Sequence, residues 1–508
     1  MVMGTCSSAG KSLITTALCR CFARRGLRVA PFKSQNMSNN AAVCGDGGEI
    51  GRSQPLQAIA AGIPPTTDMN PILLKPEGNT RSQVVVSGRA TPAMDATEYS
   101  RRRQTLWPVV TQALDRLRSD YDVVVIEGAG STTELNLSDV EMVNMSVARY
   151  CRAPVILVGD IERGGVFAQL LGTLWLLPED ERKLVCGVLV NKFHGDISLF
   201  HRGVEILEER GGVPVLGVLP WIKGLHLPEE DAVALNDLDD RRSTSDNTVG
   251  TERPSHPDQP IRVAVIHLPH IANFDDFDPL AAEPCVKLHY VDTVAQLGQP
   301  DVVIIPGTKN TLGDLRWLRD SGFANRILEL VNDGAQIIGI CGGYQMLGKS
   351  IDNPLQLESG IRRAQGLGLL DVETHYHVKK QTCQVRFKMV DDSVAPGMKG
   401  EYLAGYEIHV GRTVSSSPWL RRVAPVGHDT EAPVDGAFAR NGRVWGCYLH
   451  GLFHNDVFRR ALLRKLGAAT ECHQPTTASE RLQDSIDLLA DEFESRVDVD
   501  RLLQLAKA

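Results

Sequence analysis

Short aliphatic runs punctuate the chain, and most show no polar alternation. Val123-Val124-Val125-Ile126, Val155-Ile156-Leu157-Val158 and Gly187-Val188-Leu189-Val190 are continuous apolar runs of strand length. A strand wetted on one side alternates polar and apolar residues, whereas one covered on both faces does not. Helical stretches separate these runs from residue 1 to about 235, and strand and helix in turn predict a doubly wound, mostly parallel α/β sheet. The texture then changes. Residues 236–260, from Asn236-Asp237-Leu238-Asp239-Asp240 through Ser243-Thr244-Ser245 to Pro254 and Pro260, are polar and aperiodic, which predicts a linker or long surface loop. Ile261-Arg262-Val263-Ala264-Val265-Ile266 opens a second series that continues at Val302-Val303-Ile304-Ile305 and at Ile337 to Ile340, so a second α/β domain is expected over 261–460. In the tail, 461–508, Leu482, Ile486, Leu489 and Phe493 recur at the spacing of one helix face.

A chain of 508 residues is too long for one core, which agrees with that division. Hydrophobic content of 43% and charged content of 23% are ordinary for a globular protein. The net charge of −8 counts against nucleic acid as a partner, because a phosphate backbone rewards a basic face. Arg101-Arg102-Arg103 is a local exception that reads more simply as a solvated turn. The 11 cysteines include no CxxC, the closest pair being Cys19 and Cys21, which excludes the common zinc and redox spacings. With no signal peptide and no apolar run of about 18 residues, the expectation is a cytoplasmic protein with no membrane segment.

Two motifs bring chemistry. Gly4-Thr5-Cys6-Ser7-Ser8-Ala9-Gly10-Lys11-Ser12 joins a strand to a helix beginning near Leu13. Small residues there let backbone N–H groups wrap phosphates, Lys11 reaches the terminal ones, and Ser12 can ligate Mg²⁺. Five residues separate the two glycines, one more than in the usual phosphate loop, a spacing that resembles the dethiobiotin synthetase type. Gly4, Thr5, Gly10, Lys11 and Ser12 are therefore expected to bind ATP, with Asn191, after the Gly187 to Val190 strand, toward the base. Glu127 ends another strand at the sheet edge where ligands bind, and it joins Ser12 as the expected metal ligand. Asp160 stands similarly, but a helix cap explains it equally well. Only Met1-Val2-Met3 precede Gly4, so the first strand is short or the natural start lies upstream.

The second motif is Ile337-Ile338-Gly339-Ile340-Cys341-Gly342-Gly343-Tyr344, an apolar strand that breaks at a glycine-flanked cysteine and restarts as a helix. Such an elbow pushes a nucleophile out of the sheet, and predicts acyl transfer through a thioester at Cys341. Its base is expected in His450, which follows the strand-like Val444-Trp445-Gly446-Cys447-Tyr448-Leu449 and precedes a glycine; His375, His377, His409 and His454 lack that context. Gly307, after Ile304-Ile305-Pro306, and Gly342 are the expected oxyanion donors.

Phosphate loop first, elbow cysteine second and His450 near the end of the second domain together resemble the amidotransferases of corrin biosynthesis. Lys33-Ser34-Gln35-Asn36-Met37-Ser38-Asn39, Asp160-Ile161-Glu162-Arg163-Gly164-Gly165-Val166-Phe167, Leu268-Pro269-His270-Ile271-Ala272-Asn273-Phe274-Asp275-Asp276-Phe277-Asp278-Pro279 and Tyr406-Glu407-Ile408-His409-Val410-Gly411 extend the resemblance over nearly the whole chain. It implies an ATP-dependent synthetase domain over 1–235 and a class I glutamine amidotransferase-like domain over 261–460. It also implies glutamine and a corrinoid, adenosylcobyrinic acid a,c-diamide, as substrates, with the b, d, e and g carboxylates amidated in turn. The same chemistry on two other carboxylates, that of a cobyrinic acid a,c-diamide synthase, is the nearest alternative; the Leu268 to Pro279 segment and Asn36-Met37-Ser38-Asn39 favour the first. Enzymes that amidate cell-wall lipid precursors split ligase and glutaminase between subunits. A non-enzymatic partitioning ATPase switch carries an extra lysine early in its loop, and Gly4 to Ala9 contains none. Ordinary class I glutaminases carry His-x-Glu where this chain has His450-Gly451-Leu452, so the resemblance points to a Cys-His dyad, with Glu407 a candidate to orient the imidazole. Oligomeric state has no signal in the sequence.

Overall fold

A computed structural model describes residues 1–77, 81–136, 141–228, 230, 259–423, 433–469 and 476–507. Nearly all of the expected 236–260 linker lies outside the described residues.

The apolar runs form strands. In the N-terminal half the strands Val29–Phe32 and Val123–Ile126 pair in parallel, as do Val2–Gly4, Val155–Asp160, Val185–Phe193 and Val215–Pro220 in that order. A parallel bridge between Val2 and Glu127 joins the two sets, so Val2–Gly4 lies centrally, between Val123–Ile126 and Val155–Asp160. All six residues of Val155–Asp160 are buried, as the lack of alternation requires. The phosphate loop leaves the central strand and enters the helix Lys11–Arg24 at the sheet's carboxyl edge.

The C-terminal half repeats this scheme with a different strand order: Val286–Val291, Ile261–Ile266, Val302–Ile305, Gln336–Ile340, Val444–Cys447 and Ala437–Ala439, the last antiparallel. Gly307, Cys341 and His450 follow three of these strands, so one sheet edge collects all three.

Two features escape the apolar pattern. A mixed sheet of Gln35–Met37, Ile72–Pro76, Arg81–Val86 and Arg89–Asp95, parallel between the first two strands and antiparallel between the others, rises beside the first domain, and Val372–Met389 pairs antiparallel with Tyr402–Ser415 beside the second. Val372–Met389 alternates buried and exposed positions at both ends, the signature of a sheet wetted on one face. The halves meet through these additions. Ala41, Val43, Leu73 and Val85 share a small core with Ile408, and the buried Glu49 carboxylate pairs with Lys75 at 2.5 Å and with Lys380 at 2.6 Å.

The tail returns to the first domain. The helix Ala478–Glu494 opens with a Thr477–Glu480 capping box and buries Ile486, Leu489, Ala490 and Phe493 in one core with Ile14, Ala17 and Leu18. Arg20 Nε pairs with Asp487 at 2.7 Å and Arg24 with Asp491 at 2.6 Å along its rim. Among the described residues no helix is long and apolar enough to cross a membrane.

Candidate active site

Cys341 stands between Gln336–Ile340 and the helix Gly342–Leu347 at φ 52°, ψ −106°. A residue with a Cβ held there stores about 1–3 kcal/mol of strain, so the surroundings must over-determine it. They do so by backbone hydrogen bonds. Cys341 N–H donates to the Cys447 carbonyl at 2.9 Å, and Gly343 N–H donates to Pro306 at 3.0 Å. A Cβ on Gly343 would lie 1.9 Å from the Ile305 carbonyl oxygen, so glycine alone lets the helix start this close to the neighbouring strand. Gly342 opens that helix, where the first N–H groups have no intrahelical acceptor.

His450 is 2% exposed, and its Nδ1 lies 2.7 Å from Asp276 Oδ2. The other Asp276 oxygen accepts from Gly451 N–H at 2.8 Å, and the Tyr406 ring stacks on the imidazole with centroids 5.2 Å apart. Asp276 thus fixes both the position and the rotation of the ring. With Nδ1 engaged, Nε2 is left to interact with Cys341. Burial by itself would lower the imidazole pKa, but Asp276 and Cys341 outweigh it and push it up to about 10. Gly307 lies against both groups: a Cβ there would stand 3.1 Å from His450 Cε1 and 3.7 Å from Cys341 Cβ. The strand-end turn carrying Gly307 is held by Asp314, whose carboxylate accepts from Thr308 Oγ1 and pairs with His270 Nδ1 at 2.7 Å.

The group on the imidazole is therefore Asp276 and not Glu407. Glu407 lies 3.6 Å from Cys383 Sγ and 3.6 Å from Arg422 Nη1. Asp276 belongs to the turn Phe274–Phe277 and precedes His450 by 174 residues. Its only trace in the sequence is the acidic cluster Asp275-Asp276-Asp278 within the segment that carries the family resemblance.

At the phosphate loop Gly10 takes φ +101° as the residue before the helix, and a Cβ there would strike Asn191 Nδ2 at 2.1 Å. Asn191 Nδ2 donates to Ala9 O at 2.9 Å and so braces the loop. Gly4 O accepts from Thr132 N–H at 3.0 Å, while Thr5 N–H donates to Val158 O at 2.9 Å and Thr5 Oγ1 to Gln169 at 3.1 Å. Lys11 Nζ donates to Cys6 O at 2.9 Å, Ser7 O at 3.1 Å and Gly130 O at 2.9 Å. Burial pulls its pKa down, with the Glu127 charge acting the other way. Ser12 Oγ donates to Glu127 Oε1 at 2.8 Å, and Gln57 Nε2 donates to Glu127 Oε2 at 2.5 Å. Lys33, the first residue of the Lys33 to Asn39 run that shares in the family resemblance, lies 3.0 Å from both Glu127 and Glu230. Asp160 accepts from Glu162 N–H at 2.8 Å and pairs with Lys192 at 2.8 Å, so it braces a turn and caps no helix, the next helix beginning only at Val166.

One cavity of about 920 Å³ opens beside this loop. Lys11, Ser12, Glu127 and the Asn36 to Asn40 segment line it from one half, and His267, Pro269, Ile271 and Phe274 from the other. The last four belong to, or adjoin, the segment that carries Asp276.

Residues 1–235 match the family described as CobQ/CobB/MinD/ParA nucleotide binding domain, and residues 262–458 match the CobB/CobQ-like glutamine amidotransferase domain. The chain is 52% identical over 493 residues to the cobyric acid synthase of Chloroflexus aurantiacus, an alignment covering 97% of this chain and 95% of that one. It is 53% identical over 471 residues to that of Roseiflexus castenholzii (92% and 91% covered) and 48% over 488 residues to that of Herpetosiphon aurantiacus (96% and 95% covered). Likeness of that degree, spread over both halves and their junction, means that the chain belongs to the cobyric acid synthase family.

Proposed function

We propose that the chain hydrolyses glutamine in its C-terminal half, over about 261–460, and uses the ammonia to amidate a corrinoid in its ATP-dependent N-terminal half, over about 1–235. The product of the full reaction is adenosylcobyric acid, formed from adenosylcobyrinic acid a,c-diamide by amidation at the b, d, e and g carboxylates. One observation carries the reading: a single cavity is lined both by the phosphate loop and by the segment that supplies the acid behind His450.

In the glutaminase, Cys341 Sγ attacks the carboxamide carbon, and the amide N–H groups of Gly307 and Gly342 receive the oxyanion. His450 Nε2 takes the thiol proton and returns it to the leaving ammonia, while Asp276 stabilises the imidazolium between the two transfers. Water then releases glutamate from the thioester. In the synthetase, Lys11 draws negative charge from the terminal phosphates, the loop N–H groups of Gly4 to Gly10 cradle them, and Asn191 keeps the loop in shape. The residues also fit Mg²⁺. Ser12 Oγ and Glu127 Oε1 are 2.8 Å apart, and no cluster of three His, Cys, Asp or Glu able to hold a metal occurs among the described residues. An ion held this way takes its remaining oxygens from phosphate and water, as Mg²⁺ commonly does. Bound there, it would neutralise charge developing on the transferred phosphoryl group. Every described cysteine is a free thiol, which supports a reducing cytoplasm as the setting.

Paired variants test the division of labour. Cys341→Ala is expected to abolish glutamine-dependent amidation and keep the ammonium-dependent reaction; Lys11→Ala is expected to lose amidation from either nitrogen source. Undiminished glutamine-dependent amidation in Cys341→Ala would overturn the reading. The mass gained by the corrinoid separates four amides from two.

A further inference from the structure

Asn273 occupies the left-handed region, φ 54°, ψ 44°, which asparagine tolerates better than other side chains with a Cβ. It is 3% exposed and stands where the halves meet. Its backbone N–H donates to Asn40 Oδ1 at 2.7 Å, and its Oδ1 accepts from Ala41 N–H at 2.9 Å. A backbone N–H can only donate, so this second bond decides which way the amide points. Nδ2 is left facing His450 Nε2 at 3.4 Å.

The Asn40 side of this contact continues into the synthetase. Asn40 N–H donates to Ser38 Oγ at 3.0 Å, and Ser38 Oγ donates to Glu230 O at 2.9 Å. The Glu230 carboxylate in turn lies 3.4 Å from Ser12 Oγ and 3.0 Å from Lys33 Nζ. Ser38, Asn39 and Asn40 also line the shared cavity. A continuous set of polar contacts therefore runs from the phosphate loop, past the cavity wall, to the nitrogen that must accept the Cys341 proton.

The chemistry gives that contact a sign. An amide N–H aimed at Nε2 favours the neutral imidazole, whose lone pair it meets, and opposes the imidazolium. Activation of the nucleophile breaks the Cys341 S–H bond and forms an Nε2–H bond, leaving thiolate and imidazolium. Asn273 in this position works against that transfer, whereas Asp276 on the other nitrogen works for it. The geometry points to Asn273 as a positioning residue that restrains glutamine hydrolysis until a corrinoid and ATP in the cavity shift the Ser38 to Ala41 segment and withdraw its amide from His450. The inference rests on the glutaminase reading of Cys341 and His450. It assigns to Asn40 and Asn273 the task of keeping ammonia release in step with its use.

A set of contacts is a route, and only a coupling between the two sites shows that it is used. Two variants of the full chain measure it, through glutamate release from glutamine with and without ATP plus corrinoid. Asn273→Asp keeps an oxygen for Ala41 N–H and suits the same backbone region, but replaces the opposing N–H by an acceptor. It is expected to raise hydrolysis without ATP and corrinoid by about three- to tenfold, the effect of one net hydrogen bond on an equilibrium. The ratio of stimulated to unstimulated rate is then expected to fall toward one, with KM for glutamine little changed. Asn40→Ala does not alter the side chain facing His450 and is expected to lower the same ratio. Variants that slow both rates alike and keep the ratio would mark Asn273 as merely structural and overturn the proposal; if Asn273→Asp does not fold, the Asn40→Ala ratio decides. An unaltered chain that hydrolyses glutamine equally well with and without ATP and corrinoid would overturn the coupling alone. One that never hydrolyses glutamine would overturn the glutaminase reading with it.

Discussion

Replacing Asp276 by asparagine changes one oxygen for an NH₂ group in a site where little can move. Asp276 is 3% exposed and holds His450 Nδ1 at 2.7 Å and Gly451 N–H at 2.8 Å. A hydrogen bond between charged partners contributes about 1.5–3 kcal/mol, or roughly 10- to 150-fold in an equilibrium at ~1.4 kcal/mol per decade. The direction in pH follows from His450. Once the proton has passed from Cys341 to Nε2, the imidazole faces both a carboxylate and a thiolate, and its pKa in the fold, about 10, lies above the ordinary value of 6.5, so the imidazolium so formed persists through neutral pH and is lost only as the pH rises toward the folded value. Burial opposes this, and Asp276 and Cys341 sustain it. With asparagine at 276 the burial stays and much of the attraction goes. The alkaline limb of the glutamine-dependent rate should therefore move down by about 1–2 pH units, at ~1.4 kcal/mol per unit, and the rate at neutral pH should fall by about 10- to 100-fold. Glutamine-dependent and ammonium-dependent amidation, followed side by side across pH by the mass of the corrinoid, supply the measurement. The ammonium-dependent profile provides the reference for any loss of folded protein. A glutamine-dependent rate within about twofold of the unaltered chain, with the alkaline limb in place, would refute the triad.

Four further outcomes are expected. Gly343→Ala places a Cβ 1.9 Å from the Ile305 carbonyl oxygen, and because the obstacle is backbone it should destabilise by about 3 kcal/mol or more, read from the denaturant midpoint. Phe493→Ala empties a side chain 1% exposed between the tail helix and Lys11–Arg24, with an expected loss of about 3–5 kcal/mol in denaturant unfolding. Glu127→Gln removes the charge shared by Ser12, Gln57 and Lys33, and should abolish amidation from glutamine and from ammonium alike. Chelation of divalent cations in the unaltered chain should have the same effect, restored by added Mg²⁺.

The strands and the two reactive turns were legible because their signals are local. An unbroken run such as Val155 to Val158 can be stable only when both faces are covered, and this alone implies helices on either side of a parallel sheet. The elbow at Cys341 and the loop at Gly4 to Ser12 are likewise contained within a dozen residues each. What alternates, like Val372–Met389, or is short, like Gln35–Met37, gave no comparable signal because its burial depends on a neighbouring strand distant in sequence. The tail shows both cases together. Its apolar face at Leu482, Ile486, Leu489 and Phe493 follows from helical spacing, yet nothing in that spacing says that the partner is Lys11–Arg24, more than 450 residues away.

The same boundary divides the candidate sites. Composition and motif by themselves determined that this chain has two α/β halves, one with a phosphate loop and one with an elbow cysteine, and narrowed its base to His450. Only the tertiary structure decided that Asp276 stands behind that base and that Lys33 and Glu230 crowd Glu127. It alone decided, too, that Asn273 bridges the halves. The reason is physical. A nucleophile announces itself through the backbone turn that must present it, and that turn needs particular neighbours in sequence. An acid that steadies a buried imidazole needs only to arrive within about 3 Å with its second oxygen satisfied. Any segment the fold carries to that point can supply it, so its identity is a property of packing.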